Sequence, residues 1–198
     1  MLVLVRHGES TLNAEGRLVG RLDPSLTAQG EAQAAAAGRL LSAPAIELRH
    51  SPLTRTTQTA GLLGLEVAPT VEDRAIELDY GSLDGERLVD VDPVLWQRWL
   101  TDPTFAPEGG ESLADLGRRV EGLLDELFAT KGEGARSREG DVVVVSHVSP
   151  IKAAVAWALG ADELVAWRLR LSTGSVTRID MGPHGPQVVS FNETPSGL

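Results

Sequence analysis

The stretch "LVLVRHGES" (residues 2–10) runs four apolar residues straight into an arginine, a histidine and a glycine. An apolar run without polar alternation marks a strand covered on both faces, as in a parallel sheet. The cation and the imidazole then stand at the strand's carboxyl end. In an open α/β sheet those ends face one crevice, where ligands bind.

Two more runs of strand length recur, "AIEL" (45–48) and "VVVV" (142–145), each too short for a helix. Helical segments fall between them. "LTAQGEAQAAAAGRLL" (26–41) is alanine-rich with Thr27 as its N-cap, and residues 111–129 place Leu113, Leu116, Val120, Leu124 and Leu127 on one face behind Ser112 and Asp115. Ser51-Pro52 and Ser149-Pro150 each read as a serine cap before a proline at the first helical position. Gly64 and Gly160 sit where left-handed C-terminal glycines belong. The polar tract "KGEGARSREG" (131–140) reads as a loop, and "SVTRIDM" and "QVVSFN" around "GPHGP" read as a closing hairpin at the sheet edge. This alternation predicts an α/β three-layer sandwich, a mostly parallel central sheet with helices on both faces. No repeat or linker divides residues 1–198, so one domain is expected.

Composition bounds the function classes. With 42% hydrophobic and 23% charged residues the chain can bury a sizeable core. A net charge of −10 argues against sequence-independent binding to nucleic acid or to an anionic membrane. It leaves an anionic small substrate open, because a few arginines in a cleft create a local positive field. The absence of cysteine removes disulfides, thiolate zinc sites and cysteine nucleophiles, and permits a reducing compartment. No signal-like segment opens the chain, and no apolar run approaches the roughly 20 residues of a bilayer span. A cytoplasmic protein without membrane contact is the expectation.

On this skeleton Arg6-His7 follow the first strand, Ser146-His147 follow the valine strand, and Arg55 lies in the first turn of the helix after "AIEL". Three segments thus aim two arginines and two histidines at one place. The helix starts near Ser51 and Ser149 add backbone N–H groups and positive dipole ends, which suit an oxyanion such as phosphate. Taken singly, such a histidine is usually a hydrogen-bonded loop residue and such an arginine half of a surface ion pair. Together they predict an anion site.

The motifs "LVRHGESTLNAEGR", "SPLTRTTQTA", "AIELDYGSLDG" and "VVVSHVSPIK", with "GRLDPSLTAQGEAQA" and "GGESL", occur in an order that resembles the histidine phosphatase superfamily, the group of phosphoglycerate mutases and cofactor-independent acid phosphatases. The resemblance spans residues 2 to about 180 and implies a phosphoglycerate mutase-like fold. It implies His7 as nucleophile, Arg6 and Arg55 as phosphate clamps, His147 as second histidine and Glu77 as proton donor. Asn13 falls where the phosphate is often contacted, Arg21 where substrates brush the rim, and Val148 beside the phosphate. It implies no cofactor and no metal, a small phosphomonoester as partner, and the homodimer frequent among its members.

The chemistry fits these residue types. A nucleophilic imidazole must be neutral with one nitrogen free, its other nitrogen donating to a fixed acceptor, in this family a backbone carbonyl near Gly8. Arg6 and Arg55 would oppose imidazolium formation and stabilise the transferring phosphoryl group. Glu77 would protonate the leaving oxygen and later serve the attacking water as base. Glu9, Asp79, Asp84, His50 and His184 are expected to be surface or structural groups, and the four tryptophans core or lid packing.

Two departures from the common pattern stand out. Leu83-Asp84 replaces a Trp-Glu pair, and Val148-Ser149 replaces glycines after the second histidine. "SHVSPIK" and "LWQRWLTDP" resemble the acid phosphatase and α-ribazole phosphatase-like branch. Phosphomonoester hydrolysis is therefore the expected reaction. The alternatives are mutase-type phosphoryl transfer, disfavoured by the short segment from Glu77 to Gly109, a phospho-ligand-binding module without turnover, and a metal-dependent hydrolase, which no H-x-x-x-H or clustered carboxylates support.

Overall fold

Successive strand side chains point to opposite faces, so an unbroken apolar run is stable only when both faces are covered. The computed structural model, which describes residues 1–41, 43–129 and 140–195, meets that demand with one sheet between two helical layers. The strands are β1 (Leu2–Arg6), β2 (Ala45–His50), β3 (Pro69–Val71), β4 (Asp141–Ser146), β5 (Val176–Gly182) and β6 (Gly185–Glu193). They form a six-stranded sheet in the order β3-β2-β4-β1-β5-β6. The first four in that order run parallel, and β5 and β6 close the edge as an antiparallel hairpin. The sheet is mostly parallel, as expected.

The helices are α1 (Thr11–Ala14), α2 (Ala28–Gly38), α3 (Thr54–Leu62), α4 (Pro93–Thr101), α5 (Leu113–Ala129) and α6 (Val148–Leu159). Val3 and Val5 of β1, with Val143 and Val145 of β4, pack against Ala37 of α2 and Ala60 of α3. Leu2 and Leu4, with Val142 and Val144, pack on the other face against Leu116, Val120 and Leu124 of α5 and Ile151 and Ala154 of α6. At about 1.5–3 kcal/mol per large apolar side chain removed from water, the two layers hold β1 and β4 firmly in place. β2 departs from the expected double cover, since Ile46 is 37% exposed and the pairing with β4 shifts register between Ala45 and Glu47.

Thr27 caps α2 by accepting from the Gly30 N–H, and Ser112 accepts from the Asp115 N–H at 3.1 Å. Gly64 and Gly160 adopt positive φ at the ends of α3 and α6. The two Ser-Pro readings need correction. α3 begins only at Thr54 after the uncapped Leu53, and α6 begins at Val148 with His147 at its N-cap position, so neither Ser51 nor Ser149 is a cap. Ser149 lies inside the first turn of α6 with its hydroxyl 3.3 Å from that of Tyr80, and the Ser51 hydroxyl lies 2.7 Å from His147 Nε2 while taking only the Leu53 N–H, at 3.4 Å, ahead of α3. Of the loop expected over 131–140, only Gly140 lies within the described residues.

The tryptophans pack as expected. Trp99, fully buried, meets Tyr80, Trp96 and Trp167 edge-to-face at 5.4 to 6.0 Å, and Trp157 stacks on Phe128 at 5.5 Å. The first cluster fastens α4 to the 3-10 helix Glu163–Arg168 and so shapes one side of the crevice.

Candidate active site

Parallel pairing of β1 with β4, and of β4 with β2, brings three carboxyl ends side by side. The His7 N–H donates to the Ser146 carbonyl and the Ser51 N–H to the Val145 carbonyl, each at 3.0 Å. His7 and His147 therefore meet, with ring centroids 5.0 Å apart at an interplanar angle of 62°.

A cavity of about 600 Å³ opens at this point, lined by Arg6, His7, Asn13, Glu77 and Val148 among others. His7 is buried, and its Nδ1 sits 2.6 Å from the Gly8 carbonyl oxygen. A carbonyl only accepts, so Nδ1 carries the proton and Nε2 keeps its lone pair. Burial first, then Arg55 and Arg6, holds the His7 pKa well below 6.5. The imidazole is neutral at ordinary pH, as a nucleophile must be.

Arg6 anchors one guanidinium nitrogen on the Leu171 carbonyl at 2.5 Å. Arg55 lies fully buried behind the cavity wall and gives Nη1 and Nη2 to the carbonyls of Leu22 and Gly20 at 2.7 and 2.8 Å. The loop that supplies those carbonyls is itself gripped by Asp84, whose carboxylate accepts from the N–H groups of Gly20, Arg21 and Leu22. Asp84 thus has the structural use expected of it. Arg6 Nε, Arg55 Nε and His147 Nδ1 are buried without a protein partner. These donors retain capacity for phosphoryl oxygens.

His147 Nε2 faces the Ser51 hydroxyl at 2.7 Å, and burial followed by Arg55, His7 and Arg6 lowers the His147 pKa well below 6.5. Glu77 is also buried. Its Oε1 accepts the N–H groups of Leu78 at 2.7 Å and Ser149 at 3.2 Å, the latter in the first turn of α6. Oε2 has no hydrogen-bond partner among the described residues.

Asn13 closes a capping box on α1, its Oδ1 accepting from the Ser10 N–H and hydroxyl at 3.1 and 2.8 Å, while the residue also borders the cavity. Arg21 lies in the loop gripped by Asp84. It is not among the cavity-lining residues, and its guanidinium turns to Glu111 at 3.6 Å and Asp79 at 3.9 Å.

Tyr80, Lys152 and Arg170 also border the cavity without having been singled out by the sequence. Lys152 was discoverable, since it follows Val148 by four positions and Ser149 by three and so shares their helix face. The sequence marks Ser51 as a helix cap, whereas its hydroxyl lies against His147. Among the described residues no group of three His, Cys, Asp or Glu side chains is arranged to hold a metal ion, and no helix is long and apolar enough to cross a membrane.

The chain is 35% identical to phosphoserine phosphatase 1 of Hydrogenobacter thermophilus over 204 residues, covering 98% of this chain and 92% of that protein. It is 34% identical to a probable phosphoglycerate mutase of Salmonella paratyphi C, covering 89% and 83% of the two chains. Longer mycobacterial relatives, 38% identical, are spanned over 54% of their length. Among solved structures, a mycobacterial glucosyl-3-phosphoglycerate phosphatase superposes with a TM-score of 0.87 at 29% identity, covering 98% of this chain and 99% of that one. The sequence profile of the histidine phosphatase superfamily (branch 1) matches residues 2–194, from the first strand to the closing hairpin, and this chain belongs to that superfamily.

Proposed function

We infer that the chain hydrolyses phosphomonoesters of small metabolites through a phosphohistidine on His7. The observation that carries this reading is the hydrogen bond from His7 Nδ1 to the Gly8 carbonyl at 2.6 Å, which leaves Nε2 unprotonated beside the guanidinium groups of Arg6 and the buried Arg55. Nε2 attacks phosphorus and the ester P–O bond breaks. Glu77 passes its proton to the leaving alcohol. Water then attacks the N-phosphoryl group, gives its proton to the Glu77 carboxylate, and inorganic phosphate leaves as His7 recovers its lone pair.

Arg6, Arg55 and His147 stabilise the charge that spreads over the equatorial oxygens, the dominant contribution in phosphoryl transfer. Since arginine supplies that stabilisation, turnover without a metal is expected. The relatives named as phosphatases for phosphoserine and for glucosyl-3-phosphoglycerate support hydrolysis of a small phosphorylated metabolite. A relative named as a probable mutase keeps phosphoryl transfer as the second reading.

Phosphate release from a panel of monoesters, phosphoglycerates included, with excess EDTA and with His7→Ala alongside, tests the assignment. Release by the wild type alone is expected. Conversion of phosphoglycerates without release would replace hydrolysis by mutase chemistry. Normal release by a folded His7→Ala variant would remove His7 as nucleophile.

A further inference from the structure

We propose that the same cavity holds a second anion subsite built on Lys152 and Arg170, so that its substrates are phosphomonoesters bearing a further carboxylate or phosphoryl group. This names the substrate class of the site and rests on the phosphatase reading.

The cavity, at about 600 Å³, far exceeds the needs of one phosphoryl group beside His7. Four cationic side chains border it, Arg6, Arg17, Lys152 and Arg170, in a chain whose net charge is −10. They differ in how they are used. Arg6 is anchored on the Leu171 carbonyl, and Arg17 on Glu15 at 2.7 Å and the Gly85 carbonyl at 2.9 Å. The side chains of Lys152 and Arg170 have no hydrogen bond or ion pair among the described residues.

Lys152 is the more telling of the two. It stands one turn along α6 from Ser149, whose N–H holds Glu77, and it is half-buried in the cavity wall. Partial burial of an ammonium without a counter-charge is unfavourable, and such groups are normally paired. Burial first, then Arg6, pulls the Lys152 pKa down, while Glu77 pulls it up without reaching ion-pair distance. An anionic group on the substrate would offset both penalties at once. Arg170, exposed at the mouth, offers a guanidinium fork to the same group. The phosphoryl end is served separately by Arg6, Arg55 and His147, so the two anions do not compete for one set of donors.

The test compares esters that differ only in the second charge: 3-phosphoglycerate against glycerol 3-phosphate, and propane-1,3-diol bisphosphate against propyl phosphate. Wild-type kcat/KM is expected to favour the doubly anionic member of at least one pair by about tenfold, the size of one charge-assisted hydrogen bond. The pair that shows the preference tells carboxylate from phosphoryl. Lys152→Met should erase most of it, chiefly through KM, while Lys152→Arg keeps it; Lys152→Gln replaces the methionine variant if that fails to fold. Turnover of all four esters without preference, or a preference untouched by Lys152→Met and Arg170→Ala alike, overturns the subsite and leaves the phosphatase standing. If no ester, p-nitrophenyl phosphate included, is turned over, the phosphatase reading fails. Calorimetric binding of the same four esters to wild type and Lys152→Met then decides the subsite by itself, equal affinities within each pair overturning it.

Discussion

Ser51 illustrates how one hydroxyl can set the state of a buried ring. Its Oγ receives the Leu53 N–H at 3.4 Å and lies 2.7 Å from His147 Nε2. The hydroxyl is placed to donate to Nε2, the arrangement that keeps the proton of the other ring nitrogen available to a phosphoryl oxygen. The neutral His147 ring then carries its own proton on Nδ1, the buried nitrogen without a protein partner. Ser51→Ala releases this choice of tautomer, and we expect kcat with p-nitrophenyl phosphate to drop about tenfold, the worth of one hydrogen bond to a charged oxygen. Ser51→Thr keeps the hydroxyl and should restore most of the rate; an unchanged kcat in Ser51→Ala would place the tautomer under other control. Glu77 makes a sharper forecast, because its role depends on the leaving group. Glu77→Gln cannot donate a carboxylic proton, a contribution worth roughly 10² to 10⁴ in rate. The loss should be large with alkyl phosphates and small with p-nitrophenyl phosphate, whose leaving group needs little protonation. Equal losses on both would count against Glu77 as the acid.

Between elements, the decisive contact joins the loop after β1 to α2. A Cβ built on Gly8 would strike the Gly30 carbonyl, and one on Gly30 would strike the Glu9 carbonyl, backbone against backbone. The glycine of "RHG" and that of "TAQGEAQ" are therefore two halves of one close approach, which presses the carbonyl that orients His7 into place. Gly30→Ala should cost about 1–3 kcal/mol by overpacking and depress turnover along with it. A variant with wild-type melting temperature and kcat would show that the loop can retreat freely. The apolar runs of β1 and β4 and the two strand-end histidines were readable because burial and strand-end placement are encoded locally. Ser51 and Ser149 were misread because proline beside serine also marks a cap, and only the pairing of β2 with β4 reveals that His147 claims the Ser51 hydroxyl. The 3.6 Å approach of Arg21 to Glu111 joins residues far apart in the chain and is likewise invisible in the sequence. The wall formed by Leu88, Trp96 and Trp167 was unreadable for the same reason, since α4 is fastened by aromatic contacts across the fold.

For the whole molecule, His7 and His147 couple the site to stability. Both pKa values lie well below 6.5 in the folded state, through burial first and nearby cations second. The unfolded chain regains the ordinary value. Below pH 6.5 the unfolded state therefore binds more protons than the folded one, and stability falls as pH falls. Above about pH 7.5 both states leave these rings neutral, so they contribute no slope. Each ring adds up to about 1.4 kcal/mol per pH unit once its unfolded form is protonated. Carboxylates with lowered pKa act in the same direction at lower pH; Glu72, held down chiefly by its hydrogen bonds from Arg74, contributes stability that is lost only as pH drops below 4.5. The histidine signal is thus separable between pH 6.5 and 5. Urea unfolding across that window should show the wild type losing about 2–3 kcal/mol per pH unit toward the acid end. The double variant His7→Asn with His147→Asn, which has no imidazole to protonate in either state, should be nearly flat there. Parallel slopes for the two proteins would mean that the rings accept protons while folded, which would also withdraw the neutral nucleophile on which the phosphatase mechanism depends.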